Sequence, residues 1–194
     1  MGKITRESLM SLEAYHKARP EMRQQAMAQR RTRSVHLGEH IVLIFENELL
    51  MRYQIQEMLR VEKVFEEEGI LEEIEAYGPL VPDGSNFKAT MQIEYINEAD
   101  RKIALSKLVG VEHRIFVQVE GQARVYAIAD EDLERSTDVK TAAVHFLRFE
   151  LNEEMKKSLK SGAQLMVGCD HKEYPMHVDT LPDATLASLV SDLS

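Results

Sequence analysis

Between Thr5 and about Arg19 the apolar positions Leu9, Leu12 and Tyr15 recur at helical spacing. Pro20 followed by Glu21 then suits the first turn of a second helix, where a missing N–H costs nothing. The two predict an N-terminal helical arm over residues 1–33, ahead of an α+β domain over 34–194. From Val35 the period changes: Val35, Leu37, Ile41, Leu43 and Phe45 alternate while Val42 and Ile44 fill the other face. That is the pattern of one central strand buried on both sides.

Asn47 is placed to cap the next segment, in which Leu50, Tyr53, Met58, Val61, Val64 and Phe65 recur at helical spacing up to Gly69. It is expected to be the longest helix, followed by a shorter one from Ile70 to Tyr77. Pro82-Asp83-Gly84-Ser85-Asn86 is a dense turn signal. Phe87, Ala89, Met91, Ile93 and Tyr95 alternate with polar residues, as in a half-buried strand.

Asn97 caps a further helix, with Gly110 at the left-handed residue beyond its end. Ile115 to Val119 and Val125 to Ala129 form a hairpin around Gly121-Gln122, and strands follow near Val144–Leu151, Leu165–His171 and Tyr174–Val178. Asn152 and Asp183 open the last two helices. Strands in hairpin order predict an α+β fold with a mostly antiparallel or mixed sheet of five to seven strands and helices grouped on one face.

Charge narrows the partners. The chain carries 33 acidic against 24 basic side chains, a formal net charge of −9, which repels nucleic acid and anionic lipid. Arg30, Arg31 and Arg33 are the local exception, and cations there offset the negative end of a helix dipole. No stretch has the ~20 apolar residues of a membrane span and no secretion signal opens the chain, so a cytoplasmic protein is expected. Homo-oligomerisation stays open. The single cysteine, Cys169, excludes an internal disulfide and a thiolate metal cage.

His36-Leu37-Gly38-Glu39-His40 matches an H-x-x-E-H zinc-protease pattern, but in a strand its two imidazoles stand ~13 Å apart and cannot share an ion. Cys169, His171 and His177 make the better transition-metal candidate if a hairpin returns His177 towards the other two. Otherwise no cofactor is expected, since both dinucleotide and P-loop motifs are missing. His16, His113 and His145 stand alone and suit hydrogen-bonded structural roles.

On the long helix the apolar stripe also carries Gln54 and Glu57, whose burial costs several kcal/mol unless partners or a polar cavity compensate. With the loop residues Asp83, Ser85 and Asn86 they are the candidates for a ligand pocket. Arg52, Gln56 and Arg60 lie towards the other side, a candidate partner surface.

Ile4-Thr5-Arg6 with Tyr15 and Arg19-Pro20-Glu21, Leu43 to Asn47, Arg52 to Arg60, Pro82 to Asn86, Ile93-Glu94-Tyr95 and Asp170-His171 together resemble a bacterial domain-of-unknown-function family, number three-five-zero-one, over nearly the full chain. The resemblance implies no activity and carries no catalytic residue. Members of that family are encoded beside rubrerythrin-like proteins and an iron-sulfur oxidoreductase, so it implies a redox setting. The leading expectation is a non-enzymatic accessory protein acting with an iron-sulfur or di-iron partner. The rivals are a metal-dependent enzyme or sensor using Cys169, His171 and His177, and a small-ligand binding protein.

Overall fold

The computed structural model describes residues 3–194. Helix α1 spans Leu12–Thr32, capped by the Ser11 side chain, and runs straight through Pro20. Two helices meeting at Pro20 were expected. The proline forfeits one bond to the carbonyl of His16, on an exposed stretch where water replaces it, so the break is not enforced. The helix packs on α2 (Glu48–Glu62) and α6 (Asp183–Val190), with Tyr15 and Ala26 fully buried.

The expected central strand is instead a hairpin, β1 (Ser34–Leu37) and β2 (Ile41–Phe45), with Leu37 opposite Ile41. Gly38 makes the turn at φ +64°, a conformation that L side chains rarely adopt. A Cβ there would also stand 2.8 Å from the Tyr174 hydroxyl oxygen. The alternation continued across the turn because both strands present the same face inward.

The α2 helix is capped by Asn47 and stops at Lys63, in the left-handed region at φ 55°, not at Gly69. Gly69 lies inside α3, Glu67–Tyr77. Then follow β3 (Asn86–Ile93), α4 (Glu98–Lys107), β4 (Ile115–Val119), β5 (Arg124–Tyr126), β6 (Ile128–Ala129) and β7 (Val144–Glu150). The chain ends with α5 (Glu153–Lys160), β8 (Leu165–His171), β9 (Tyr174–Val178) and α6. Asn97 and Asn152 cap their helices as expected.

The fold is α+β. Its strands form two antiparallel sheets, ordered β1-β2-β3-β7-β6 and β5-β4-β8-β9. Leu43, Phe45, Phe87, Met91, Leu147 and Phe149 of the first sheet share one core with Ile115, Val117, Leu165, Val167 and Cys169 of the second. Helices α4, α5 and α6 add Ala104, Leu159 and Leu189 to that core. On the outer face of the first sheet, Val42 and Ile44 meet Ala26, Leu50, Met51, Ile55, Leu59 and Ile70 of α1, α2 and α3. That helical layer leaves the outer face of β7 bare.

Arg33 sits between the layers, 1% exposed. It donates to the carbonyls of Phe45 (2.8 Å), Glu46 (2.9 Å) and Ser188 (2.9 Å) and pairs with Asp192 on the C-terminal segment. It is a buried tether between the two ends of the chain, not the surface cation expected at a helix terminus.

Candidate functional site

Buried residues of α2 are Leu50, Met51, Ile55, Gln56 and Leu59, so its core face is rotated from the expected stripe. The stripe was drawn through Val61, which is 61% exposed on the solvent side of the last turn, and Phe65, which is 66% exposed beyond the end of the helix. Consequently Gln56, expected on a partner surface, is buried: its Oε1 accepts from the Met10 N–H (2.6 Å) and its Nε2 donates to the Met10 carbonyl (3.4 Å). Gln54 is only half-buried and stands outside this network.

Glu57 does turn inward, and five donors meet it. Tyr15 Oη (2.6 Å), Arg19 Nε (2.8 Å) and Arg60 Nε (3.2 Å) donate to Oε1, while Arg19 Nη2 (2.9 Å) and Arg60 Nη2 (3.2 Å) donate to Oε2. Chiefly the Arg19 hydrogen bonds, with Arg60 and Tyr15 adding to them, hold its carboxyl down to about 2. A carboxylate so saturated locks α1 onto α2 and has no lone pair left for a ligand. Arg60 is thereby a lock residue, and Arg52 leans on Glu48 at 3.6 Å.

The 82–86 loop is likewise self-contained. Asp83 Oδ1 accepts from the Ser85 N–H (2.9 Å), and Asn86 Nδ2 donates to Glu150 (3.3 Å). The cavity beside Pro82 is lined by Asn47, Glu48, Leu49, Val81 and Asp192, so the fold does not bring Gln54 or Glu57 to this loop.

Nor does it unite the expected metal trio. Gly168 pairs with His177, and Cys169 with Met176, so His177 projects from the opposite face to Cys169 and His171. His177 lies in solvent, whereas His171 is spent on the Val109 carbonyl (3.2 Å) and the Glu173 N–H (3.3 Å). Burial pushes the Cys169 thiol up to about 11, which leaves it protonated and inert.

A cluster missed in the sequence lies where the two sheets meet. Glu112 precedes β4, Asp130 ends β6 and His145 is on β7, and one donor atom from each lies within 4.8 Å of the others. All are nearly closed to solvent, with His145 at 0%. His145 Nδ1 faces Asp130 Oδ2 (2.6 Å), and its Nε2 faces the Thr141 hydroxyl (2.8 Å) and the Ala142 carbonyl (3.1 Å). Thr141 donates on to Glu112 (3.3 Å), which also accepts from Ser136.

Each ring nitrogen of His145 thus has a polar partner, Asp130 also accepts from Arg135 (3.2 Å), and the Ser136 and Thr141 hydroxyls lie 2.8 Å apart beside Glu112. A divalent cation fits these donors only by displacing partners they already have. As built, the cluster clasps the 130–143 excursion to the sheet. His145 shares the buried parity of Leu147 and Phe149, which was the signal available in the sequence.

Beside the clasp, a half-open groove of about 490 Å³ runs between the end of α3 and the half-buried Lys88, Phe146 and Arg148 on the outer face of β3 and β7. Leu80, Lys88, Phe146 and Arg148 line it, and Arg135 stacks 4.6 Å over the Phe146 ring. Beside it Val144, on the same face of β7 as Phe146, and Ile128, opposite Arg148, are 40% and 42% exposed, and Leu133, next to the lining residue Asp132, is 64% exposed. Large exposed apolar side chains so grouped mark interaction surfaces.

Fold and site together define an α+β protein of two antiparallel sheets with internally satisfied polar clusters and an open apolar flank. The chain belongs to the family described as protein of unknown function (DUF3501), whose model matches residues 3–193. Over the full length of both chains it is similar, at 54% identity and a TM-score of 0.95, to a crystal structure of a protein of unknown function from Burkholderia pseudomallei. No curated protein matches. Among the described residues, no helix is long and apolar enough to cross a membrane.

Proposed function

We propose that this protein is a non-enzymatic accessory protein that acts by binding a redox partner, an iron-sulfur oxidoreductase or a rubrerythrin-like protein. The redox setting comes from the family resemblance. The binding role is supported by one observation: its buried polar clusters are closed on themselves, while Ile128, Leu133 and Val144 are exposed beside a groove lined by Phe146, Ile128 opposite Arg148 in the sheet, Val144 on the same face of β7 as Phe146 and Leu133 next to Asp132 in the chain. A few such side chains, desolvated together, supply the apolar centre of a protein interface.

The test is anaerobic co-purification under reducing conditions with an iron-sulfur oxidoreductase and a rubrerythrin-like protein from the same organism. The wild type should form a complex that Ile128→Asp with Leu133→Asp abolishes while the fold is retained. A wild type that binds neither partner, or a variant that binds as well, overturns the proposal. Stoichiometric iron, manganese or zinc in the purified protein, lost in His145→Asn, would favour a metal-dependent reading centred on Glu112, Asp130 and His145 instead.

A further inference from the structure

Independently of that surface, a second cleft lies between the C-terminal half of α1 and the outer face of β1. It is a shallow, open depression of about 480 Å³ lined by Gln24, Met27, Arg30, Arg31, Ser34 and His36. Gln24, Met27 and Arg31 fall at i, i+3 and i+7 and so share one helix face, while Ser34 and His36 are alternate residues of one strand and share its outer face. Two elements thus converge on one opening. Its lining carries no carboxylate, although the chain as a whole has net charge −9.

The arginines here differ from most others in the protein. Arg19, Arg33, Arg52, Arg60, Arg124, Arg135 and Arg148 each pair with an acid. Among the described residues Arg30 and Arg31 pair with none, and Arg30 reaches only the Gln92 amide oxygen, at 3.4 Å. The buried Glu46 carboxyl senses Arg30, but burial raises its pKa and so weakens it as a competing charge. The Ser34 hydroxyl donates to the Arg30 carbonyl (2.8 Å), so its one proton is spent and the donors of the cleft are the arginines and the Gln24 amide.

Two unpaired planar guanidinium forks beside the Gln24 carboxamide match the oxygens of a phosphoryl group, which accepts several charge-assisted hydrogen bonds at once. The Met27 thioether and the His36 ring supply a less polar wall. We propose that this cleft binds a small phosphorylated anion, its phosphoryl oxygens held by Arg30 and Arg31 and its organic body against Met27 and His36.

The probe is inorganic pyrophosphate, titrated into the full-length protein at constant ionic strength and followed by calorimetry and by amide and His36 ring shifts. Saturable binding is expected, weakened about tenfold or more in Arg30→Ala with Arg31→Ala and within about twofold of wild type in Arg23→Ala, which lies outside the cleft. These side chains are exposed, so the variants should keep the wild-type thermal midpoint. Three results overturn the proposal. They are no saturable binding, an equal loss in Arg23→Ala, which signals diffuse charge attraction, and binding of poly-glutamate without pyrophosphate, which assigns the cleft to an acidic protein segment.

Discussion

Replacing Glu57 by Gln removes one negative charge from a site that five donors converge on, and its effect can be worked from the structure. The carboxyl falls from 4.5 when unfolded to about 2 when folded. At about 1.4 kcal/mol per tenfold change in proton affinity, that is at most ~3.4 kcal/mol of stability at neutral pH. Solvent reaches Arg19 and Arg60, 32% and 38% exposed, and reduces the figure to about 2 kcal/mol.

The folded pKa is the lower one, so this stabilisation is complete above about pH 4.5 and is lost as pH falls towards 2. Urea titrations of wild type and Glu57→Gln should therefore differ by about 2 kcal/mol at pH 7, or about 4–8 °C in Tm for a chain of this size, and converge by about pH 2.5. A difference below about 0.5 kcal/mol at pH 7, or one that stays constant down to pH 3, would refute the lock between α1 and α2.

His145→Leu should cost about 1–3 kcal/mol in chemical denaturation by removing the buried imidazole partner of Asp130 and of the Thr141 hydroxyl, and amide exchange should rise first in residues 131–142; a loss under about 0.5 kcal/mol counts against the clasp. Gly168→Ala places a Cβ 2.4 Å from Phe116 Cζ, so the ring must leave its seat, and a loss of about 1–3 kcal/mol in stability should be measured; an unchanged Tm contradicts that packing. Cys169 should resist iodoacetamide at pH 7.5 in the folded protein and react readily in urea, with mass spectrometry as the readout, and rapid labelling without denaturant would show that the thiol is accessible.

Local patterning carried most elements of this protein in its sequence. Asn97 and Asn152 cap their helices, the hairpin turning at Gly121-Gln122 is present, and hairpin-ordered strands give an α+β fold with antiparallel sheets. Those features depend on residues a few positions apart, and periodicity reports on them directly. It could not report where a period stops. The turn at Gly38 preserved the alternation, and the left-handed Lys63 ended α2 without a glycine, so a stripe drawn on to Phe65 missed the face of Leu50, Ile55 and Leu59 that docks and carries Gln56 with it.

Tertiary structure alone decided which polar groups meet. Tyr15 and Arg19 reach Glu57 from about 40 residues away, and Arg33 reaches Asp192 across 159. Glu112, Asp130 and His145 come from three separate elements. Cys169 and His177 seemed suited to each other by spacing, but a strand register of one residue sends their side chains to opposite faces. Hydrophobic period is written into the chain because each element needs a face to bury, whereas the pairing of charges follows from how those faces dock.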